Sequence, residues 1–236
     1  MPRKRAATNK RLLRADAYEK LLAAIILGEL EAGSSVDERE LVRRYGLGQA
    51  AVRDALLRLS LEGLVDRRPR IGTRIADLGL RELQDIFEAR VLLESYAAGL
   101  VATRASAGDI AAIRVAYAGH DEAVDRRDIR KLLDIDRAFH RALGAACKNA
   151  EIERAIVRLH NNACRFWLFG IQRASADEIK AQGRAHLEIL TAIENKDMAE
   201  IEHRVRKVIG YNPDSHFLLY EPRLSTAMRF TAAAVG

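Results

Sequence analysis

The sequence predicts a mainly α protein: an N-terminal unit of three helices and a small β-hairpin, then an all-α helical bundle. Three observations carry this. Aromatic residues are only 6% of the 236 and prolines number four, while Leu, Ala and Arg abound, a composition that favours helices over sheets. After Leu78 apolar residues recur at three- and four-residue spacing along the rest of the chain, the period of amphipathic helices. One stretch, 64–75, breaks that period with strand-like runs around Pro69 and Gly72, both turn residues.

The elements follow in order. Residues 1–14 are basic and read as a flexible arm. Residues 15–28 place Leu21, Leu22, Ile25 and Ile26 on one helical stripe, with Gly28 as a stop. Asp37 stands as N-cap of a second helix, with Glu40 three residues on as in a capping box, and Gly46 ends it. "QAAVRDALLRLSLEGLV" then forms a third helix that buries Val52, Ala55, Leu56 and Leu59 and ends at Gly63. Its N-cap is Gly48, where Ser, Thr, Asp or Asn would hold the helix end more firmly. Strands at 64–65 and 73–75 flank "DRRPRIG", a hairpin with Arg67, Arg68 and Arg70 near its tip. Beyond it, helices are expected near 80–105, 107–126, 128–147, 150–170, 176–194 and 197–211. "GYNPDS" breaks the pattern, and 221–236 reads as a weakly ordered tail. The expected domains are 15–77 and 78–220.

Charge is uneven. Residues 1–77 hold 16 Lys+Arg against 11 Asp+Glu, and the remainder 23 against 22. A basic head on a near-neutral body suits a polyanion partner. The only cysteines, Cys147 and Cys164, make no C-x-x-C pair, which argues against a zinc finger and suits a reducing cytoplasm. No apolar run reaches the ~20 residues of a membrane span, and Glu19, Lys20 and Glu29 interrupt any secretory h-region.

Three helices and a hairpin in about sixty residues describe a winged helix-turn-helix, whose second motif helix enters the major groove. Gln49, Ala50 and Arg53 project away from the buried face, and the helix N-terminus offers N–H groups to a phosphate. The wing arginines suit the adjacent backbone or minor groove.

The stretch "GSSVDERELVRRYGLGQAAVRDALLRLSLEGLVDRRPRIGTRI" also resembles the DNA-binding domain of GntR-type bacterial transcription regulators. It keeps Gly33, Glu38, Glu40, Leu41, Val52, Arg53, Ala55, Leu56, Arg58, Leu59, Glu62, Gly63, Leu64, Val65 and Gly72 of that pattern. The resemblance implies that Arg39 and Arg53 touch phosphates or guanines; the expected operator-facing set is Arg39, Gln49, Ala50, Arg53, Arg58, Arg68, Arg70 and Gly72. The family's usual "S-R-T-P" is "G-Q-A-A" here, Gly48 to Ala51. Gln49 still suits adenine and Ala50 a thymine methyl, so the expectation is an altered operator.

Residues 78–210 resemble the FCD effector domain of the FadR-type branch, through "IFEARVLLESYAAGLVATRA", "DIDRAFHRALGAACKNAEIERAI" and "HLEILTAIENKDMAEIE". The resemblance implies a dimer that answers to a small carboxylate effector. It also implies a divalent ion (zinc, nickel or manganese) on Asp136, His140 and His186. Asp136 and His140 are four residues apart and share a helix face. The family's further histidine would fall 22 residues beyond His186, at Val208, and His203 is the nearest substitute. Arg90 could pair with an effector carboxylate or with Glu94 or Asp85, and Arg165 and Trp167 could line the pocket. His120, His160 and His216 receive no role. The alternatives are a metal-dependent enzyme and a DNA-binding protein with a vestigial pocket.

Overall fold

The computed structural model describes residues 2–212, except 69 and 71, together with Phe217–Leu218. His216 and residues 221–236 lie outside the described residues. The chain divides into two compact units, Met1–Leu78 and Gly79–Gly236.

The first unit holds α1 (Pro2–Ile26), α2 (Glu38–Tyr45), α3 (Gln49–Leu61), β1 (Val65–Arg68) and β2 (Gly72–Ile75). Helix α1 starts at Pro2 and not at residue 15, so the expected arm is helical. The reason is local: Arg3 to Leu27 contains neither Gly nor Pro and is rich in Ala, Leu, Lys and Arg, all good helix formers. Proline fits the first turn, where its missing N–H costs nothing. Leu21, Leu22 and Ile26 of α1 are buried with Val52, Leu56 and Leu59 of α3. Asp37 caps α2 by accepting from the Arg39 and Glu40 N–H groups, and Gly46 closes it at φ 63°. β1 and β2 pair antiparallel from Val65↔Ile75 to Arg68↔Gly72. The strands are thus longer than expected and leave a three-residue tip. The loop before α2 joins their edge, with Val36 N donating to Thr73 O at 2.8 Å and Ile75 N to Ser34 O at 2.9 Å. Gly33 is required there: its φ is 75°, and a Cβ would stand 2.8 Å from Asp77 Oδ1.

The second unit holds α4 (Leu80–Arg104), α5 (Ala107–Ala116), α6 (His120–Asp125), α7 (Ile129–Ala146), α8 (Ala150–Ile171), α9 (Ala176–Glu194) and α10 (Met198–Ile209). A short hairpin follows, β3 (Tyr211–Asn212) with β4 (Phe217–Leu218). The single helix expected over 107–126 is two, because Gly119 turns the chain at φ 77°. Ser106 and Ser175 make reciprocal capping boxes with Asp109 and Glu178, which fix where α5 and α9 begin. The core gathers Phe139, Leu143, Ile113, Ile156, Leu190 and Val205. Helix α8 packs on α4 and α7, and α9 packs on α6 and α10. The space between α8 and α9 is left as a cavity.

Candidate nucleic-acid interface and metal centre

In the first unit Gln49, Ala50 and Arg53, of the expected operator-facing set, lie at the start of α3. Gly48 caps that end without a side chain, so the side-chain contacts come from α2. Glu38 Oε2 accepts from Gln49 Nε2 at 3.0 Å and from Arg53 Nε at 2.8 Å. One carboxylate therefore orients the amide and the guanidinium on the exposed face. Arg39, Gln49, Ala50 and Arg53 are all exposed. Arg68 closes β1, Arg70 stands in the tip at φ 65°, and Gly72 opens β2 at φ 115°; all three are exposed. Arg58 is engaged elsewhere. Its guanidinium lies 3.5 Å from the Tyr18 ring centroid and pairs with Glu62 at 3.0 Å, while Tyr18 OH donates to Glu62 at 2.6 Å. It ties α3 to α1, a packing role that competes with a phosphate contact.

In the second unit a cavity of about 520 Å³ lies among α4, α7, α8, α9 and α10, within the usual size range of small-molecule sites. Its polar end is built on Asp136 of α7. His140 follows one turn later, with Nε2 3.8 Å from Asp136 Oδ1. His186 of α9 brings Nε2 to 3.4 Å from the same oxygen. His160 of α8 places Nε2 3.2 Å from Oδ2, and Cys164, one turn on, has Sγ 3.3 Å from that nitrogen. His140, His160, His186 and Cys164 are all buried.

The hydrogen bonds these residues make leave lone pairs that suit a cation. His186 Nδ1 lies 2.8 Å from Gln182 O and 3.1 Å from the Tyr117 hydroxyl; a carbonyl can only accept, so a proton on Nδ1 satisfies it and leaves Nε2 bare. His140 Nδ1 lies 2.8 Å from Glu94 Oε2, a charge-assisted distance, although the ring is turned from ideal alignment. Its Nε2 is bare on the same logic. In their neutral forms, two bare nitrogens then face the Asp136 carboxylate with no proton between them. A divalent ion satisfies all three at once, and Glu94 and Gln182 O act as the outer partners that fix ligand orientation. His160 fits differently: Nε2–H donates to Oδ2 and holds the carboxylate from behind.

The electrostatics agree. Burial pushes the Asp136 carboxyl up, but His160 and its neighbours bring it well below the usual carboxylate range. Burial likewise raises Glu94, and Arg90, His140 and His160 together outweigh it and hold the carboxyl below its ordinary range. Burial, then the neighbouring His140, lowers His160 to about 3, so it is neutral near pH 7. Burial pushes the Cys164 thiol above its ordinary range.

Several expected residues fall elsewhere. His203 is exposed on α10 and takes no part. Val208 is buried and lines the cavity. Arg90 lines it too, but its Nε donates to Glu94 Oε1 at 2.7 Å. Arg165 is buried but is not among the residues lining the cavity, whereas Trp167 is. His160 had no expected role, because a lone histidine on an amphipathic helix usually reads as core. The available signal was its i, i+4 spacing to Cys164 on the face that also carries Trp167. His120 also reaches the cavity, with its ring 4.9 Å from that of Tyr117.

Comparison with known proteins places both units. The profile of "Bacterial regulatory proteins, gntR family" matches residues 13–75, and that of the FCD domain matches residues 85–210. The chain is 28% identical over 214 residues to a "Probable D-xylose utilization operon transcriptional repressor" of Paenarthrobacter nicotinovorans, covering 88% of this chain and 92% of that one. It is 27% identical over 205 residues to the HTH-type transcriptional repressor GlaR of Escherichia coli (strain K12), covering 81% and 90%. Its fold is similar to that of E. coli McbR/YncC, with TM-score 0.74 and 20% identity over 89% of this chain and 99% of that one. Helix-turn-helix, wing and helical bundle thus occur here in the same order as in those regulators, and the chain belongs to the GntR family of bacterial transcriptional regulators, in the branch that carries an FCD domain.

Proposed function

We propose that this protein is a cytoplasmic, homodimeric transcriptional repressor whose operator affinity is set by an organic-acid effector, bound together with a divalent ion in the FCD domain. The relatives named as repressors support the sign. The observation that carries the effector reading is the buried Asp136–His140–His186 set at the polar end of a cavity. Asp136, His140 and His186 would hold the ion, which would be zinc, nickel or manganese by the chemistry of imidazole and carboxylate donors. When bound, it supplies a Lewis-acidic anchor for a carboxylate.

Charge explains why ion and acid would go together. At the polar end Arg90 is balanced by Glu94, leaving the Asp136 carboxylate in excess when the imidazoles are neutral. An anionic effector is repelled by that end alone and is welcomed once a divalent ion reverses its sign. Val208, in place of a fourth ligand, leaves the ion's remaining positions to water or effector. Each head would place α3 in a major groove, so a two-fold dimer would read two half-sites. No helix among the described residues is long and apolar enough to cross a membrane.

The test is selection of bound DNA from a random pool by the metal-loaded protein, repeated with a panel of organic acids. Enrichment of a two-half-site sequence, lost on addition of an acid, is the expected result. Enrichment that no acid alters would leave a DNA-binding protein with a vestigial pocket.

A further inference from the structure

The cavity is lined along the facing lengths of α8 and α9, as the walls of a slot, and this lining bears on the effector's chemistry. Along α8 the lining residues His160, Cys164, Trp167 and Ile171 recur on one helical face, and Ala174 follows in the turn beyond it. At 1.5 Å per residue, the eleven-residue rise from His160 to Ile171, where α8 ends, spans about 16 Å. On α9, His186, Gln182 and Ile179 line the facing wall and run about 10 Å in the same direction. Both walls begin at Asp136 and lead toward the turn between the two helices. Arg173 and Glu178 line the cavity at that turn and are exposed, so the slot meets solvent there. Between the two ends the walls include the apolar Trp167, Ile179, Leu132 and Phe87 beside Gln182, with Val208 apolar where the family resemblance implies a ligand.

A short polar acid would occupy only the Asp136 end and leave these walls without partner atoms, forfeiting their dispersion contacts. We infer that the effector is an elongated acid with an aryl or straight-chain apolar body. Its carboxylate sits at the Asp136 end and its body lies between Trp167 and Ile179. This inference rests on the effector reading above and adds the ligand class.

Trp167 is the single tryptophan of the chain and lines the slot, so its fluorescence reports occupancy directly. The full-length, zinc-loaded protein is titrated with 3-phenylpropanoate and octanoate, and separately with lactate and succinate. Tryptophan emission and release of selected operator DNA are read together. The expected result is a change at about tenfold lower concentration, or better, for the two apolar acids, since each buried methylene strengthens binding several-fold. Ile179→Asp, at a partly buried position, should abolish that preference while leaving operator binding intact. Should lactate or succinate saturate at equal or lower concentration, the ligand class is overturned and the effector reading stands. Should no acid alter emission or operator release while the operator is still bound, both are overturned.

Discussion

Glu94→Gln removes one charge from a buried chain of contacts, and the structure separates its two consequences. Glu94 is 2% exposed and Arg90 6% exposed. The carboxylate accepts from Arg90 Nε at 2.7 Å and faces His140 Nδ1 at 2.8 Å. Losing the charge leaves the Arg90 guanidinium buried without its counter-ion, which costs about 3–5 kcal/mol when one partner of a buried pair is deleted. The isosteric amide keeps an acceptor for Arg90, so the lower end of that range is expected. The second consequence is at His140. An amide can present its N–H to Nδ1, which moves the ring proton to Nε2 and blocks the metal-facing lone pair. Loss of such an outer carboxylate typically lowers metal affinity about 10- to 100-fold. Urea unfolding of metal-free protein measures the first effect and zinc competition against a chelator the second. The double variant Arg90→Met with Glu94→Leu separates them: it should recover stability, because no charge is left unpaired, while metal affinity stays low. Zinc affinity unchanged in Glu94→Gln would refute the tautomer assignment on which the metal site rests.

Three further outcomes are expected. In metal-free protein His160 is held neutral well below its unfolded value; a depressed histidine contributes stability above its unfolded pKa of about 6.5, lost as pH falls toward its folded value. With that value about 3, its contribution falls by about 2 kcal/mol by pH 5, so His160→Gln should flatten the stability profile between pH 7 and 5 in urea titrations; an unchanged slope would contradict a neutral His160. Gly183→Ala adds a methyl 2.5 Å from the His120 ring; overpacking of about 1–3 kcal/mol outweighs the roughly 1 kcal/mol gained in helix propensity, so the melting temperature should drop, and a rise would show that His120 moves freely. Arg53→Ala should weaken operator binding by about 1–3 kcal/mol, read by fluorescence anisotropy, and wild-type affinity would dismiss the assigned face of α3.

Much of this was legible in the sequence because local rules and packing agree. The α3 stripe of Val52, Leu56 and Leu59, the glycine stops and the hairpin residues each specify an element without long-range help. Asp136 and His140 were readable because four-residue spacing forces two side chains onto one face. His160 was hidden because its partner, Asp136, lies on another helix, and only tertiary packing brings Nε2 to Oδ2. The same reason separates Arg90, whose partner Glu94 is one turn away and was foreseen, from Arg58, whose partner Tyr18 is forty residues away on α1. The helical N-terminus was misread because basic charge suggested solvation, whereas propensity favoured continuing the helix. Gly119 was overlooked as a break because a lone glycine within an apolar pattern gives little local signal.

In the proposed mechanism acid, metal and operator are linked through the Asp136 cluster. The direct measurement is operator affinity with and without 3-phenylpropanoate, for zinc-loaded parent protein and for Asp136→Ala. The acid is expected to weaken operator binding by about 5- to 150-fold in the parent, the usual range of coupling between sites, and to have no effect on Asp136→Ala, which still binds the operator. An equal response of the two proteins to the acid would contradict that linkage.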